Sequence, residues 1–255
     1  MELKVIAYAR NGHTDKFGIP RQSREESPIL TRIVFEPEFR IPEALRGIEG
    51  YSHLWILWGF SENRVQNTDR CADRVQTDNE WSPTVRPPRL GGNVRMGVFA
   101  TRSPYRPNPI GLSSVRLMGI ETGELIVSGA DVLDGTPIYD IKPYLSFSDS
   151  HPDAKNGFAE ETKDYRLVVN WELIRTFPGQ SRANNALITR YSPANIPLLE
   201  AQTMKEIEYI LSQDPRPGYQ DDPEREYKLD YSGYTVTFFV KKQTVIVKNI
   251  EKVQK

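Results

Sequence analysis

Apolar and polar positions alternate in short runs over the first 150 residues. LKVIAYAR (3–10), ILTRIVFEP (29–37) and YSHLWILWGF (51–60) are rich in Val, Ile, Tyr and Trp and are bounded by Gly, Pro, Asn or Ser. That pattern belongs to strands set between turns. NVRMGVFATR (93–102), NPIGLSSVRLMGIET (108–122), GELIVSGADVLDGTP (123–137) and IYDIKPYLS (138–146) continue it. PEALRG (42–47) reads as one or two helical turns, with Pro42 at the start and Gly47 at the end. Residues 11–28 and 61–83 are polar and irregular, hence a loop and an exposed excursion. Many short strands without long helical periods predict an antiparallel β-barrel over residues 1–150.

The pattern changes after residue 150. HPDAKNGFAEETKD (151–164) reads as a connecting segment and DYRLVVNWEL (164–173) as one more strand, so 151–190 is a connecting region with a strand. Residues 191–255 then read as a small α+β domain. Leu198, Leu199, Met204, Ile207, Ile210 and Leu211 recur at helical spacing within 194–214, and the prolines of DPRPGY stop that helix. YKLDY, YTVTFFVKK and TVIVKNIEK follow as strands. The fold class is therefore mainly β, with a small C-terminal α+β unit.

Composition narrows the function. A net charge of −1 gives no global field toward nucleic acid or membrane. A single cysteine, Cys71, and an N-terminus without an apolar signal core fit a cytoplasmic protein. The longest apolar-rich run is far too short to cross a bilayer, so no membrane partner is expected.

Local charge is more informative. Between Trp81 and Ile120 there is no Asp or Glu, but there are six arginines: Arg86, Arg89, Arg95, Arg102, Arg106 and Arg116. Arginine presents a planar fork to carboxylates and phosphates and stacks on bases. Within this block FATRSPYRPNPIGLS (99–113) carries three prolines, which stiffen a loop before anything binds to it. The sign then reverses, with Asp131, Asp134 and Asp140 within ten residues. Asp134, in DG, suits turn chemistry. Asp131 stands at a strand end, where a carboxylate could face the arginines. No strand leads into a GxGxxG turn and helix, so a doubly wound dinucleotide site is not expected. No metal-ligand cluster and no dedicated nucleophile stand out.

PPRLGGNVRMGVFATRSPYRPNPIGLS, DVLDGTPIYDIKPYL, YSHLWILWGF and PRQS together resemble the TsaA-like (TrmO) family, and the late SQDPRPGY resembles the C-terminal segment of its bacterial members. The excursion at 63–80 is longer than the family pattern. The resemblance implies a β-barrel methyltransferase that uses S-adenosyl-L-methionine to methylate the exocyclic nitrogen of threonylcarbamoyladenosine beside the tRNA anticodon. It also implies a homodimer with the cofactor near the subunit interface. On its basis Gln22, Ser23, Ser61, Glu62, Arg102, Leu112, Ser128, Gly129, Ala130 and Asp131 line the cofactor. Asp131 and Arg106 serve the reaction, and Arg86, Arg89, Arg95 and Arg106 meet the tRNA. Two other classes fit the residues alone: a non-catalytic RNA-binding barrel, or an enzyme acting on a small anionic metabolite.

Overall fold

A computed structural model describes residues 2–24, 26–60, 81–87, 94–171, 201–216 and 222–253. The predicted Ser61, Glu62 and Arg89, and the excursion at 63–80, lie outside the described residues.

Six strands form the N-terminal sheet: β1 (Ala7–Arg10), β2 (Leu30–Phe35), β3 (His53–Gly59), β6 (Ile110–Glu121), β7 (Glu124–Ser128) and β8 (Pro137–Pro143). They pair in the order β1-β2-β7-β6-β3-β8, always antiparallel, and β8 pairs back with β1, so the sheet closes as a barrel. Period-2 alternation decides which side chains fill it. In β3, Leu54, Ile56 and Trp58 turn inward against Val115 of β6 and Ile138 of β8. Ala7 and Ala9 of β1 are fully buried, small residues that suit a narrow interior. The β6–β7 turn is Thr122-Gly123, both at positive φ, as a two-residue hairpin requires.

Two predicted strands are shorter than their apolar pattern. Of the predicted strand 93–102, the described residues 94–102 yield only β5 (Met96–Gly97), paired with β4 (Thr84–Val85), and then a 3-10 turn over Val98–Ala100. Residues 123–137 form a strand only to Ser128, because the chain turns at Gly129 (φ +84). An added Cβ there would lie 2.6 Å from the Arg24 carbonyl oxygen, so only glycine fits.

The C-terminal sheet runs β10-β11-β12-β9, with β9 (Val168–Asn170), β10 (Tyr227–Tyr231), β11 (Tyr234–Lys241) and β12 (Thr244–Lys252). β9, from the connecting region, joins β12 in parallel. The helix Ala201–Ser212 buries Ile207, Ile210 and Leu211 against this sheet; the part of the predicted helix before residue 201 lies outside the described residues. Among the described residues no helix is long and apolar enough to cross a membrane.

The two units share a chain segment. Ile29, one residue before β2, is fully buried in the C-terminal core. His13 bridges to Tyr231, and their rings meet edge-on at 5.1 Å. Tyr231 donates its hydroxyl to Glu206 at 3.0 Å. His13 is buried, its Nε2 has no partner among the described residues, and burial lowers its pKa from 6.5 to about 4.

A histidine held neutral when folded but free to charge when unfolded supports folding fully above pH 6.5 and loses that contribution as pH falls toward 4. The expected outcome is a clear loss of stability across that window in denaturant titrations, a few kcal/mol at most. A folded His13→Leu variant should show a shallower slope there; an identical slope would assign the acid sensitivity elsewhere.

Candidate active site

The barrel and the C-terminal end of the helix Ala201–Ser212 enclose a cavity of about 710 Å³. Four of the stretches that line it carry the predicted residues.

The first is the proline-rich turn. Prolines at 104, 107 and 109 restrict the backbone, and the remaining polar groups close on one another. Arg106 Nη1 donates to the carbonyls of Thr101 (3.0 Å) and Ser103 (3.3 Å), and Thr101 Oγ1 donates to the Val98 carbonyl at 2.9 Å. Arg106 thus braces the loop, and its guanidinium lies 5.9 Å from the Phe99 ring centroid. The brace uses Nη1; among the described residues its other guanidinium nitrogens have no hydrogen-bond partner. Arg102 and Arg106 both line the cavity.

The second stretch is the start of β6. Gly111 lies beneath Trp58, where a Cβ would sit 2.2 Å from the indole ring. This contact aims Trp58 Nε1 at Ser113 Oγ, 2.9 Å away, and Ser113 in turn donates a short hydrogen bond to Asp131. Ile110 and Leu112 add apolar wall; Leu112 is 53% exposed.

The third is the start of the β7–β8 connection. The turn at Gly129 carries Asp131 into the lining. Burial raises the Asp131 pKa, while Ser113, the backbone N–H of Ser23 and attraction to Arg102 oppose the rise; burial prevails. Ser128 and Ala130 are buried, and neither they nor Gly129 lines the cavity. They form the turn behind Asp131.

The fourth is the loop after β1. Lys16 and Gly18–Gln22 line the cavity, and Ser23 pins the loop by donating to the Ser114 carbonyl of β6.

Of the predicted residues, the structure therefore brings Gln22, Arg102, Arg106, Leu112 and Asp131 together at one cavity, with Ser23 directly behind. Arg86 and Arg95 are exposed and outside the lining, at the end of the β4–β5 ribbon where Val85 pairs with Met96. The sequence reading missed the contribution of the C-terminal unit. Ile210, Gln213, Asp214 and Pro215 also line the cavity, as does Arg21. Arg216 clasps Asp214 with two hydrogen bonds, 2.8 and 3.0 Å, while Tyr165 donates to Asp214 at 3.1 Å. Arg21 Nη2 donates to the Arg216 carbonyl at 2.8 Å. The available signal was an arginine between two prolines in DPRPGY, directly after the helix. Among the described residues no group of three or more His, Cys, Asp or Glu could hold a metal ion.

Comparison with known proteins settles the family. The model of the tRNA-methyltransferase O N-terminal domain matches residues 8–150, and that of the TrmO C-terminal domain matches 185–253. The chain belongs to the tRNA-methyltransferase O family. A relative from Escherichia coli, named tRNA (adenine(37)-N6)-methyltransferase, is 35% identical over 230 residues, covering 88% of this chain and 85% of its own. A relative of the same name from Eikenella corrodens is 44% identical over 207 residues, 80% of this chain and 99% of its own. A Pseudomonas aeruginosa relative, 40% identical over 88% of this chain and 86% of its own, carries a provisional name as an S-adenosylmethionine-dependent methyltransferase. A crystal structure of TrmO from Pseudomonas aeruginosa superposes with TM-score 0.67 at 30% identity, covering 98% of each chain. The cavity described above lies where the N-terminal TrmO domain meets the C-terminal one, and both supply its walls.

Burial of Asp131 has a thermodynamic signature. A carboxyl whose folded pKa is raised weakens folding once pH climbs past its unfolded value near 3.8, and the penalty is complete above the folded pKa. Asp131→Asn keeps an oxygen for Ser113 but carries no charge. The variant is expected to melt above wild type at pH 7 and to converge with it as pH drops below about 4. A lower melting temperature at pH 7 would mean that the Arg102 attraction outweighs burial.

Proposed function

We propose that this chain transfers a methyl group from S-adenosyl-L-methionine to the exocyclic nitrogen of adenine 37 in tRNA, with threonylcarbamoyladenosine beside the anticodon as the acceptor. One observation carries the reading: Arg102 and Asp131, opposite charges that attract each other, stand at a cavity walled by Trp58, Ile110 and Leu112. A donor with a carboxylate, a sulfonium and a flat adenine matches that set of a guanidinium, a carboxylate and an apolar wall. When bound, S-adenosylmethionine supplies an electrophilic methyl carbon, whose bond to sulfur breaks as the bond to the adenine nitrogen forms.

The chain's own residues do the rest. Arg102 holds the donor's carboxylate, Ile110 and Leu112 cover its base, and Gln22 and Ser23 hold the loop edge against it. Asp131 favours the sulfonium before reaction and accepts the proton that the acceptor nitrogen loses. Its raised pKa makes it a better base than an ordinary aspartate. Ser113, itself held by Trp58, fixes the carboxylate orientation. Arg106, rigid on its loop carbonyls, offers its remaining N–H groups to the threonyl carboxylate. Arg86 and Arg95, with Arg89, meet tRNA phosphates. We place the protein in the cytoplasm with its tRNA, and we propose that it works as a homodimer. The dimer reading is supported by β6, where the apolar residues Ile110, Leu112, Met118 and Ile120 are 37 to 54% exposed.

Arg102→Ala should leave the fold intact and weaken donor binding by roughly 1.5–3 kcal/mol, the worth of a hydrogen bond to a charged group. Calorimetric titration with S-adenosylmethionine measures it; unchanged affinity would remove Arg102 from the donor site.

The acceptor is tested with matched tRNAs that carry or lack the threonylcarbamoyl group. Phosphate contacts grip both alike, so the modified tRNA should be methylated far faster, with the gain in the transition state. Arg106→Lys keeps the charge but loses the fork, and should narrow the difference by about tenfold or more. Equal wild-type rates on the two tRNAs would overturn the acceptor assignment.

A further inference from the structure

The loop after β1 supplies Lys16 and Gly18–Gln22 to the cavity; its two ends are tied to the barrel at His13 and Ser23, but its middle is packed on the C-terminal unit. Phe17, between two cavity-lining residues, does not line the cavity itself. Its ring packs on the C-terminal core, 6.3 Å from the Tyr227 ring and nearly parallel to it, and 6.3 Å from Phe238. Gly18 takes φ +102, in the region that favours glycine, and a Cβ there would lie 2.4 Å from Leu229. Gly12 lies under Tyr231, where a Cβ would be 2.7 Å from the ring. Its carbonyl accepts from Ser232 N–H at 2.9 Å. Downstream, Arg21 is tied to the Arg216 carbonyl. Two positions thus disfavour a side chain, and the aromatic and steric grips on the segment from Gly12 to Gly18 come from the C-terminal unit, while the His13 carbonyl accepts from Asp134 N–H of the barrel at 2.9 Å.

We propose that Phe17 is a positioning residue for the methyl donor, and that the C-terminal unit sets the barrel's donor affinity by holding this loop in its binding shape. The inference rests on the donor site described above. A loop left free samples many conformations, and apparent affinity falls in proportion to the fraction that is competent. Held by Phe17, the loop meets the donor already ordered. The device acts on binding and not on the reacting groups, because Phe17 touches neither Arg102 nor Asp131 in the contacts that fix its ring.

The test is a volume series at one position. Donor Kd by calorimetry, donor KM and kcat are compared for wild type, Phe17→Leu, Phe17→Val and Phe17→Ala, each checked for cooperative melting. Donor Kd and KM should rise together as volume is lost, to roughly tenfold or more for Phe17→Ala. kcat at saturating donor should stay within about twofold of wild type. A merely structural residue would instead lower the folded fraction and kcat while leaving donor KM unmoved. A flat donor Kd among the variants that melt cooperatively overturns the proposal, even where Phe17→Ala itself fails to fold. Wild type that binds no donor at all overturns the underlying methyltransferase reading instead.

Discussion

Ile29 is buried in one core while Leu30, its neighbour, begins a strand of the other. The geometry of the cavity depends on that transfer of chain. Burying an isoleucine contributes about 1.5–3 kcal/mol, and here it also fixes where the loop after β1 must end. The loop leaves β1, passes under Tyr231, places Phe17 on the C-terminal sheet and returns through Ile29 to β2. Gln202 of the helix secures the return by donating to the Pro28 carbonyl at 2.8 Å. The crossing sets where the wall that carries Arg21 meets the C-terminal unit, while Ser23 ties the end of the same loop to the barrel wall through the Ser114 carbonyl.

Most of the barrel was legible because alternation is a local property. Leu54, Ile56 and Trp58 announce the inward face of β3 in seven residues. The helix was legible for the same reason, through Ile207, Ile210 and Leu211. Length was less legible where glycine or a turn overrides an apolar run, as at Gly97 and Gly129. At the site, Arg102 and Asp131 stood out by charge, but the roles of their neighbours did not. Ser128 to Ala130 sit beside Asp131 in sequence and behind it in space. Asp214 and Arg21 share the cavity although 193 positions separate them. No spacing rule connects residues that meet only because two units share a loop.

Arginine shows why residue type alone does not give a role; the partner does. Arg106 bonds neutral carbonyls and stiffens its loop, Arg216 is clasped by a carboxylate, and Arg102 faces a carboxylate that burial has made less willing to ionise. Among the described lining residues, Arg21, Arg102 and Arg106 stand against Asp131 and Asp214. Asp214 is already engaged by Arg216, which lies outside the lining. The cavity therefore carries surplus positive charge in a partly desolvated space, where opposite charge is worth more than in water. Such a surplus disfavours an uncharged ligand's displacing the water that now solvates those cations, and favours a ligand that brings carboxylates of its own. The proposed pair brings two, one on the donor and one on the acceptor. A sulfonium beside Asp131 would add to that positive surplus, and both favour the ionised carboxylate that burial opposes.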